Sequence, residues 1–150
     1  MPTTKTRWPF SNFIEIPGGL PGYEWNDENL YPTVEHAFQA AKTLDPAERA
    51  KIAAAKSPGS AKWLGKRVTL RAGWNDMRLD VMRLLLALKW GGEPFRSQLL
   101  ASGDEPLIEQ TTWHDLYWGK CICPKHDGAG QNHLGRLLME TRSQLRAEGA

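Results

Sequence analysis

The clearest candidate for chemistry is a carboxylate, an amide and an ammonium group at helical spacing in YPTVEHAFQAAK, residues 31–42. Glu35, Gln39 and Lys42 fall at positions i, i+4 and i+7, so a helix would place them on one stripe. That stripe borders an apolar one, as at the wall of a pocket. The helix dipole also favours an anion at Glu35 in the first turn. The residues alone leave open a simpler interpretation, in which Glu35 is a first-turn acid and Lys42 is solvated.

A second candidate is a group of metal ligands late in the chain. Cys121, Cys123 and His126 form a C-x-C-x-x-H pattern, which offers three ligands for zinc. His114 or His133 is a candidate fourth ligand. The alternative is a reduced pair of thiols packed in a loop.

Two asparagines are candidate ligand-binding residues. Asn132 follows Gly128 and Gly130 and precedes a predicted helix, so this segment is a candidate cradle for a phosphate. A simple N-cap explains Asn132 equally well. Asn12 lies between two phenylalanines in FSNF, residues 10–13, where its amide could point into a pocket or tie off a turn.

Composition restricts the class of protein. The 150 residues suffice for one domain, predicted to span 1–150. A net charge of +2 argues against a protein that binds long duplex nucleic acid through charge. The two closely spaced cysteines are typical of a reduced, intracellular protein. No apolar run is long enough for a membrane helix or a signal peptide, so a cytoplasmic location without membrane contact is expected.

Capping residues and hydrophobic periodicity predict a mainly helical α+β domain with a few short strands. The inner faces of the two longest helices are expected at 77, 81, 84, 85 and 88, and at 134, 137, 138, 141 and 145. Short strands are predicted at 14–16, 68–70, 107–108 and 116–118. The predicted helix starts are Thr33, Asp45 with Pro46 and a Glu48 capping box, Ser57 with Pro58, Asn75 or Asp76, Pro94, and Asn132.

Six blocks of sequence, in order, resemble the NADAR family, also called YbiA-like, over about residues 10–145. They are FSNF, YPTVEHAFQAAK, SPGSAKWLGK, GWNDMRLDVMRLLLALKW, LIEQTTWHDLYWG and GQNHLGRLLMETR. The resemblance implies a small α+β N-glycosidase. One branch of the family is associated with ribosylamino-pyrimidine intermediates of riboflavin synthesis, and another removes ADP-ribose from guanine. Residues 120–126 depart from the family pattern, in which many relatives have a short glycine-rich stretch.

The resemblance implies an active site near Glu35, Trp74, Asp115 and Trp118, with Lys42 close by. Cleavage of a ribose C1–N bond develops positive charge on the sugar, which a nearby carboxylate stabilises. We expect Glu35 to stabilise that charge or activate water, and Asp115 to hold ribose hydroxyls or share this work. Lys42 could bind phosphate, polarise the leaving base or attack the anomeric carbon.

The expected substrate contacts have structural alternatives. The tryptophans could stack on a base or belong to the core, and Asp115 could instead cap a turn. The expected partner is a phosphorylated ribosyl small molecule or an ADP-ribosylated guanine. No cofactor is expected beyond a possible zinc ion, and a module that binds ADP-ribose or a nucleotide without turnover is the alternative function. The expected substrate-binding residues are Asn12, Gln39, Trp74, Trp118 and Asn132.

Overall fold

The computed structural model describes residues 7–149 and contains two compact units, Met1–Leu70 and Arg71–Ala150. Within residues 7–149 there are six helices and four strands of two residues each. This confirms the prediction of a mainly helical α+β fold. In that part of the chain, no helix is both long enough and apolar enough to cross a membrane.

The first unit consists of three helices and one short hairpin. Strands β1 (Leu20–Pro21) and β2 (Leu30–Tyr31) pair antiparallel. Helix α1 (Val34–Ala40) packs against both α2 (Pro46–Ala53) and α3 (Pro58–Gly65). Because α1 has neighbours on several sides, every residue of it is buried, polar residues included. The unit therefore buries Glu35 and Gln39, two of the three residues of the candidate stripe.

The predicted caps of these three helices are largely confirmed. The side chains of Thr33, Asp45 and Ser57 accept hydrogen bonds from backbone N–H groups in the first turns of α1, α2 and α3. The predicted capping box at Glu48 is wrong. Its carboxylate accepts hydrogen bonds from the Thr43 hydroxyl at 2.8 Å and from the backbone of residue 69.

The second unit is built on three helices and a parallel pair of strands. Helix α6 (His133–Glu148) packs against α4 (Trp74–Trp90) and α5 (Phe95–Ala101). Strands β3 (Gln110–Thr111) and β4 (Lys120–Cys121) pair in parallel. The strands predicted at 107–108 and 116–118 therefore lie two or more residues from the observed pair. The segments 14–16 and 68–70 form no strand.

Helix α4 differs from the prediction at its start and on its buried face. Its N-cap is Gly73, not Asn75 or Asp76, and Gly73 has a left-handed backbone that glycine adopts without strain. Leu84 and Leu88 are exposed. The buried residues of the helix are Trp74, Val81, Met82, Leu85, Leu86, Lys89 and Trp90. The inner face predicted for α6 is confirmed, since all five of its residues are buried.

The burial of Lys89 was not expected from the sequence. Its Nζ lies 4.7 Å from the centre of the Trp90 ring and 5.1 Å from that of Phe95. Burial lowers the pKa of this lysine to about 8. The prediction left Lys89 out of the apolar face of α4 because lysine is charged. Aromatic rings such as Trp90 and Phe95 can nevertheless accommodate an ammonium group.

Candidate active site

The first turn of α1 is fixed by two contacts that orient Glu35. The Thr33 hydroxyl accepts a hydrogen bond from the backbone N–H of His36 at 3.1 Å. The backbone carbonyl of Asn12 accepts the N–H of Glu35 at 3.2 Å. Asn12 is itself buried, and this backbone contact places it beside the first turn of α1. A role for its side chain in substrate binding stays a prediction.

The carboxylate of Glu35 is buried and hydrogen-bonded to the next polar residue of the stripe. Glu35 is 8% exposed and Gln39 is 4% exposed. The Gln39 side-chain amide donates to Glu35 Oε1 at 2.7 Å, a short distance typical of a hydrogen bond to a charged group. The i, i+4 spacing predicted that the two residues share a stripe, and such neighbours lie close enough for this contact. The pair holds the carboxylate in one orientation inside the protein.

Gly65 of α3 provides the space that Gln39 occupies. A Cβ atom at position 65 would overlap the side-chain amide of Gln39. Among residues 7–149, no donor lies within hydrogen-bonding distance of Gln39 Oε1, although this oxygen is buried. Buried acceptors are normally satisfied by protein, water or ligand. Within the described residues, Gln39 Oε1 is therefore an unsatisfied acceptor packed against Gly65.

Lys42 completes the stripe and is half-buried. Burial lowers the pKa of its amine, Lys62 and Lys66 lower it further, and Glu35 opposes the change. A lowered pKa increases the fraction of neutral amine, the form that can act as a nucleophile. Lys42 is therefore partly shielded from solvent, and its role in the site stays a prediction.

His36, the other titratable residue in α1, has a structural role. Its Nδ1 lies 2.8 Å from the Thr33 hydroxyl and its Nε2 lies 3.0 Å from the carbonyl oxygen of Ala55. A carbonyl can only accept, so we assign the ring proton to Nε2. Burial lowers the pKa of His36, although the Ala55 hydrogen bond opposes the change. The ring is therefore neutral and links α1 to the end of α2.

In the second unit, Asp115 organises a turn. Its Oδ1 accepts hydrogen bonds from the backbone N–H groups of Tyr117 at 3.0 Å and Trp118 at 2.9 Å. This is the turn-capping role given as the alternative for Asp115 in the sequence. The same contacts fix the Trp118 backbone, and its half-buried ring meets Tyr117 edge-on at 4.8 Å between centroids. The structure thus brings Asp115 and Trp118 together.

Two residues contact Tyr117, the neighbour of Trp118, and the sequence pattern indicated neither contact. The guanidinium of Arg78 lies 3.6 Å from the centre of the Tyr117 ring, and the His133 ring lies 4.5 Å from the same ring. Trp74, the first residue of α4, is 6% exposed, as the core alternative predicted. Cation–π pairs between distant residues leave no periodic signal in a sequence.

Asn132 has a structural role at the start of α6. Its Nδ2 donates to the carbonyl of Leu107 at 3.0 Å, and its Oδ1 accepts from the backbone of Glu109 at 3.0 Å. It is the N-cap residue, but its side chain does not cap the helix. The backbone N–H groups of residues 132, 133 and 134 donate to the carbonyls of residues 119, 117 and 118. These groups are therefore occupied, which argues against the predicted phosphate cradle.

The predicted zinc ligands do converge, and His114 is the fourth member of the group. The ligand atoms of His114, Cys121, Cys123 and His126 all lie within 4.8 Å of one another. His133, the other candidate, instead contacts Gln131 through Nε2. Burial opposes ionisation of Cys121, but hydrogen bonds with Cys123 and His126 outweigh burial and lower its pKa to about 6.

A separate cleft lies between α2 and α3, where the Arg67 guanidinium stacks on Trp63 at 3.5 Å from the ring centre. It contains none of the sequence-predicted site residues, and we assign it no role. The cleft is lined by Glu48, Lys51, Ile52, Trp63, Leu64, Arg67 and Val68.

Comparison with known proteins identifies similar chains. The NADAR domain model matches residues 2–146. N-glycosidase YbiA of Shigella boydii is 39% identical over 97% of this chain and 86% of its own length. The chloroplastic riboflavin biosynthesis protein PYRR of Zea mays is 33% identical, but the match covers 91% of this chain and only 23% of that protein. The NMR structure of YbiA from E. coli superposes with a TM-score of 0.74 at 36% identity, covering 93% of this chain and 79% of that one.

Proposed function

Because this chain belongs to the NADAR family, we propose that it hydrolyses the ribose C1–N bond of a phosphorylated ribosyl N-glycoside. Its enzyme class is that of hydrolases acting on N-glycosyl bonds, in keeping with relatives named N-glycosidases. The observation that carries the proposal within the structure is the stripe of Glu35 and Gln39, buried in α1, with Lys42 half-buried just after the end of the helix. A surface helix would have no reason to bury Glu35 and Gln39 side by side.

Glu35 is assigned the electrostatic role. As the C1–N bond breaks, positive charge develops on the sugar ring, and a buried carboxylate stabilises that charge more strongly than it would in water. Gln39 fixes the carboxylate, so little reorganisation is needed during the reaction. Glu35 is also the candidate base for the attacking water, since a general base must lie within hydrogen-bonding reach of the proton that it removes.

Lys42 is assigned to the sugar or its leaving group. Its lowered pKa makes the neutral amine more accessible than in a solvated lysine. A neutral amine can attack the anomeric carbon, release the base and form an imine with the opened sugar, which water then hydrolyses. In its protonated form the same group could instead donate to the leaving nitrogen. Trapping experiments distinguish these two roles.

From the second unit we propose Trp118 as a stacking residue for the base, since its ring is half-buried and its backbone is fixed by Asp115. Asp115 then acts partly by positioning Trp118. Asn132 is not included, because its amide is bonded to the backbone at both ends. Trp74, the first residue of α4, stays a candidate substrate-binding residue.

We propose two candidate substrates. The relative named a riboflavin biosynthesis protein favours a ribosylamino-pyrimidine phosphate. An ADP-ribosylated guanine offers the same bond type and a larger base. The net charge of +2 is compatible with either and requires no extended nucleic-acid surface.

The test is to incubate the purified chain with each substrate separately and to detect free base and free sugar by mass spectrometry. We expect release from at least one of them. Adding borohydride during turnover should link the sugar irreversibly to Lys42 if an imine forms. Cleavage without an adduct would exclude an imine at Lys42 and leave phosphate binding or polarisation of the leaving base as its role, and failure to cleave either substrate would contradict the proposal.

A further inference from the structure

We propose that His114, Cys121, Cys123 and His126 bind one zinc ion that has a structural role. The four side chains offer two sulfur and two nitrogen ligands, a set that structural zinc sites commonly use. The proposal concerns the inserted segment at residues 120–126 and is independent of the hydrolase reaction. It also selects His114 over His133 as the fourth ligand.

The distances among His114, Cys123 and His126 are close to those around tetrahedral zinc. Zinc bonds of about 2.3 Å to sulfur and about 2.0–2.1 Å to nitrogen separate two nitrogens by about 3.3 Å, and nitrogen from sulfur by about 3.6 Å. In the structure, the Nδ1 atoms of His114 and His126 are 3.2 Å apart. The Cys123 sulfur is 3.4 Å from the first and 3.1 Å from the second. Cys121 lies 4.0 Å from His114 Nδ1, and all four ligand atoms lie within 4.8 Å of one another, so Cys121 would move inward to complete the tetrahedron.

Hydrogen bonding alone does not explain this arrangement. The Nδ1 atom of His114 faces both sulfurs and the Nδ1 of His126 at 3.2–4.0 Å. A ring nitrogen carries either one lone pair or one hydrogen, so it can make one good hydrogen bond and not three. Four ligand atoms within 4.8 Å of one another are instead an arrangement that a bound cation explains.

The backbone around the ligands is held in place by its own hydrogen bonds. Cys121 lies in β4, and its N–H and carbonyl pair with the backbone of residues 129 and 128. The carbonyl of Cys123 accepts the N–H groups of residues 126 and 127. His114 has a left-handed backbone with φ of 68°, which is strained for a histidine. Strain of this kind persists where other contacts compensate for it, and a metal bond would do so.

Zinc is the metal that this ligand set favours. Two thiolates and two imidazoles suit zinc better than magnesium or calcium, which prefer oxygen ligands. Four protein ligands also leave no open position for water, so the site is structural and not catalytic. The ion would connect His114 to the segment 121–126 and thereby brace the turn that carries Asp115 and Trp118.

The test measures metal content and needs no substrate. The full chain is purified under reducing conditions from zinc-supplemented medium, and bound metals are quantified by mass spectrometry. We expect about one zinc per chain. In the double variant Cys123→Ser/His126→Asn this should fall to less than about a tenth, because a two-ligand remnant cannot hold the ion. The matched control, His133→Asn, should keep its zinc.

A second measurement covers the case in which the double variant does not fold. Cobalt(II) is added to the metal-depleted native chain, and we expect absorption bands typical of tetrahedral cobalt with thiolate ligands. Three results would overturn the proposal. The first is native protein that holds no zinc and gives no tetrahedral cobalt spectrum. The second is a Cys121–Cys123 disulfide that survives purification under reducing conditions, and the third is full zinc content in the folded double variant.

Discussion

Replacing Glu35 with glutamine should separate catalysis from folding. The substitution keeps the size and an acceptor for Gln39 but removes the buried negative charge. Loss of a positioned base or of preorganised electrostatic stabilisation typically reduces turnover by about 10²- to 10⁴-fold. We expect Glu35→Gln to lose turnover within that range and to retain substrate binding.

The cost in stability should be much smaller. A hydrogen bond to a charged group contributes about 1.5–3 kcal/mol and a neutral one about 0.5–1.5 kcal/mol, so weakening the Gln39 contact costs about 1 kcal/mol. Loss of the charge from the first turn of α1 costs about a further 0.3–1 kcal/mol. An uncharged amide is cheaper to bury, which offsets part of this loss. The net decrease should stay below about 2 kcal/mol, or below about 8 °C in Tm.

The assay compares kcat for release of free base with the urea midpoint of unfolding. Glu15→Gln is the matched control, since it removes an acid from an exposed position in the same unit. It should leave both quantities close to those of the native chain. If Glu35→Gln turned over within about threefold of native while still folded, Glu35 would have no part in the chemical step.

Three further predictions concern residues around this stripe. Gly65→Ala should displace the Gln39 amide and reduce kcat. The control Gly59→Ala, whose added methyl group meets only ordinary contacts, should keep activity. Equal activity of both variants would contradict the role of Gln39. Since burial lowers the pKa of His36 below 6.5, the free energy of unfolding should decrease as pH falls from 6.5 through that lowered value. His36→Gln should show a shallower decrease in urea titrations, and an unchanged slope would contradict the assignment. The borohydride-trapped adduct should increase as pH rises through the lowered pKa of Lys42 and be absent in Lys42→Arg; an adduct in that variant would place the imine elsewhere.

Local features of the fold could be predicted from the sequence because they depend on neighbouring residues. The caps at Thr33, Asp45 and Ser57 need only a side chain and the next helical turn. The Glu35–Gln39 hydrogen bond likewise follows from helical spacing alone.

Features that depend on distant partners were predicted less well. Glu48 bonds to the backbone of residue 69, 21 positions away, instead of closing its own capping box. Asn132 serves the backbone of residues 107 and 109 instead of its own helix. The predicted buried face of α4 included Leu84 and Leu88 because they are apolar, but both are exposed. Lys89 is buried in the observed face, where aromatic neighbours make its burial possible.

The candidate metal ligands could be predicted where local spacing determines them and could not where the fold determines them. C-x-C-x-x-H indicated Cys121, Cys123 and His126, and the three do converge. The choice between His114 and His133 could not be made from spacing, because it depends on a left-handed backbone at position 114. The pairing of Glu35 with Asp115 in catalysis stays a prediction.

The most direct test of the central claim counts product molecules per chain. The native protein is mixed with a large excess of a ribosylamino-pyrimidine phosphate, or of an ADP-ribosylated guanine nucleotide, and free base is quantified over time. A hydrolase should release many bases from each chain at a steady rate. Tight binding of both compounds, with no more than one base released per chain, would contradict the account and identify a binding module.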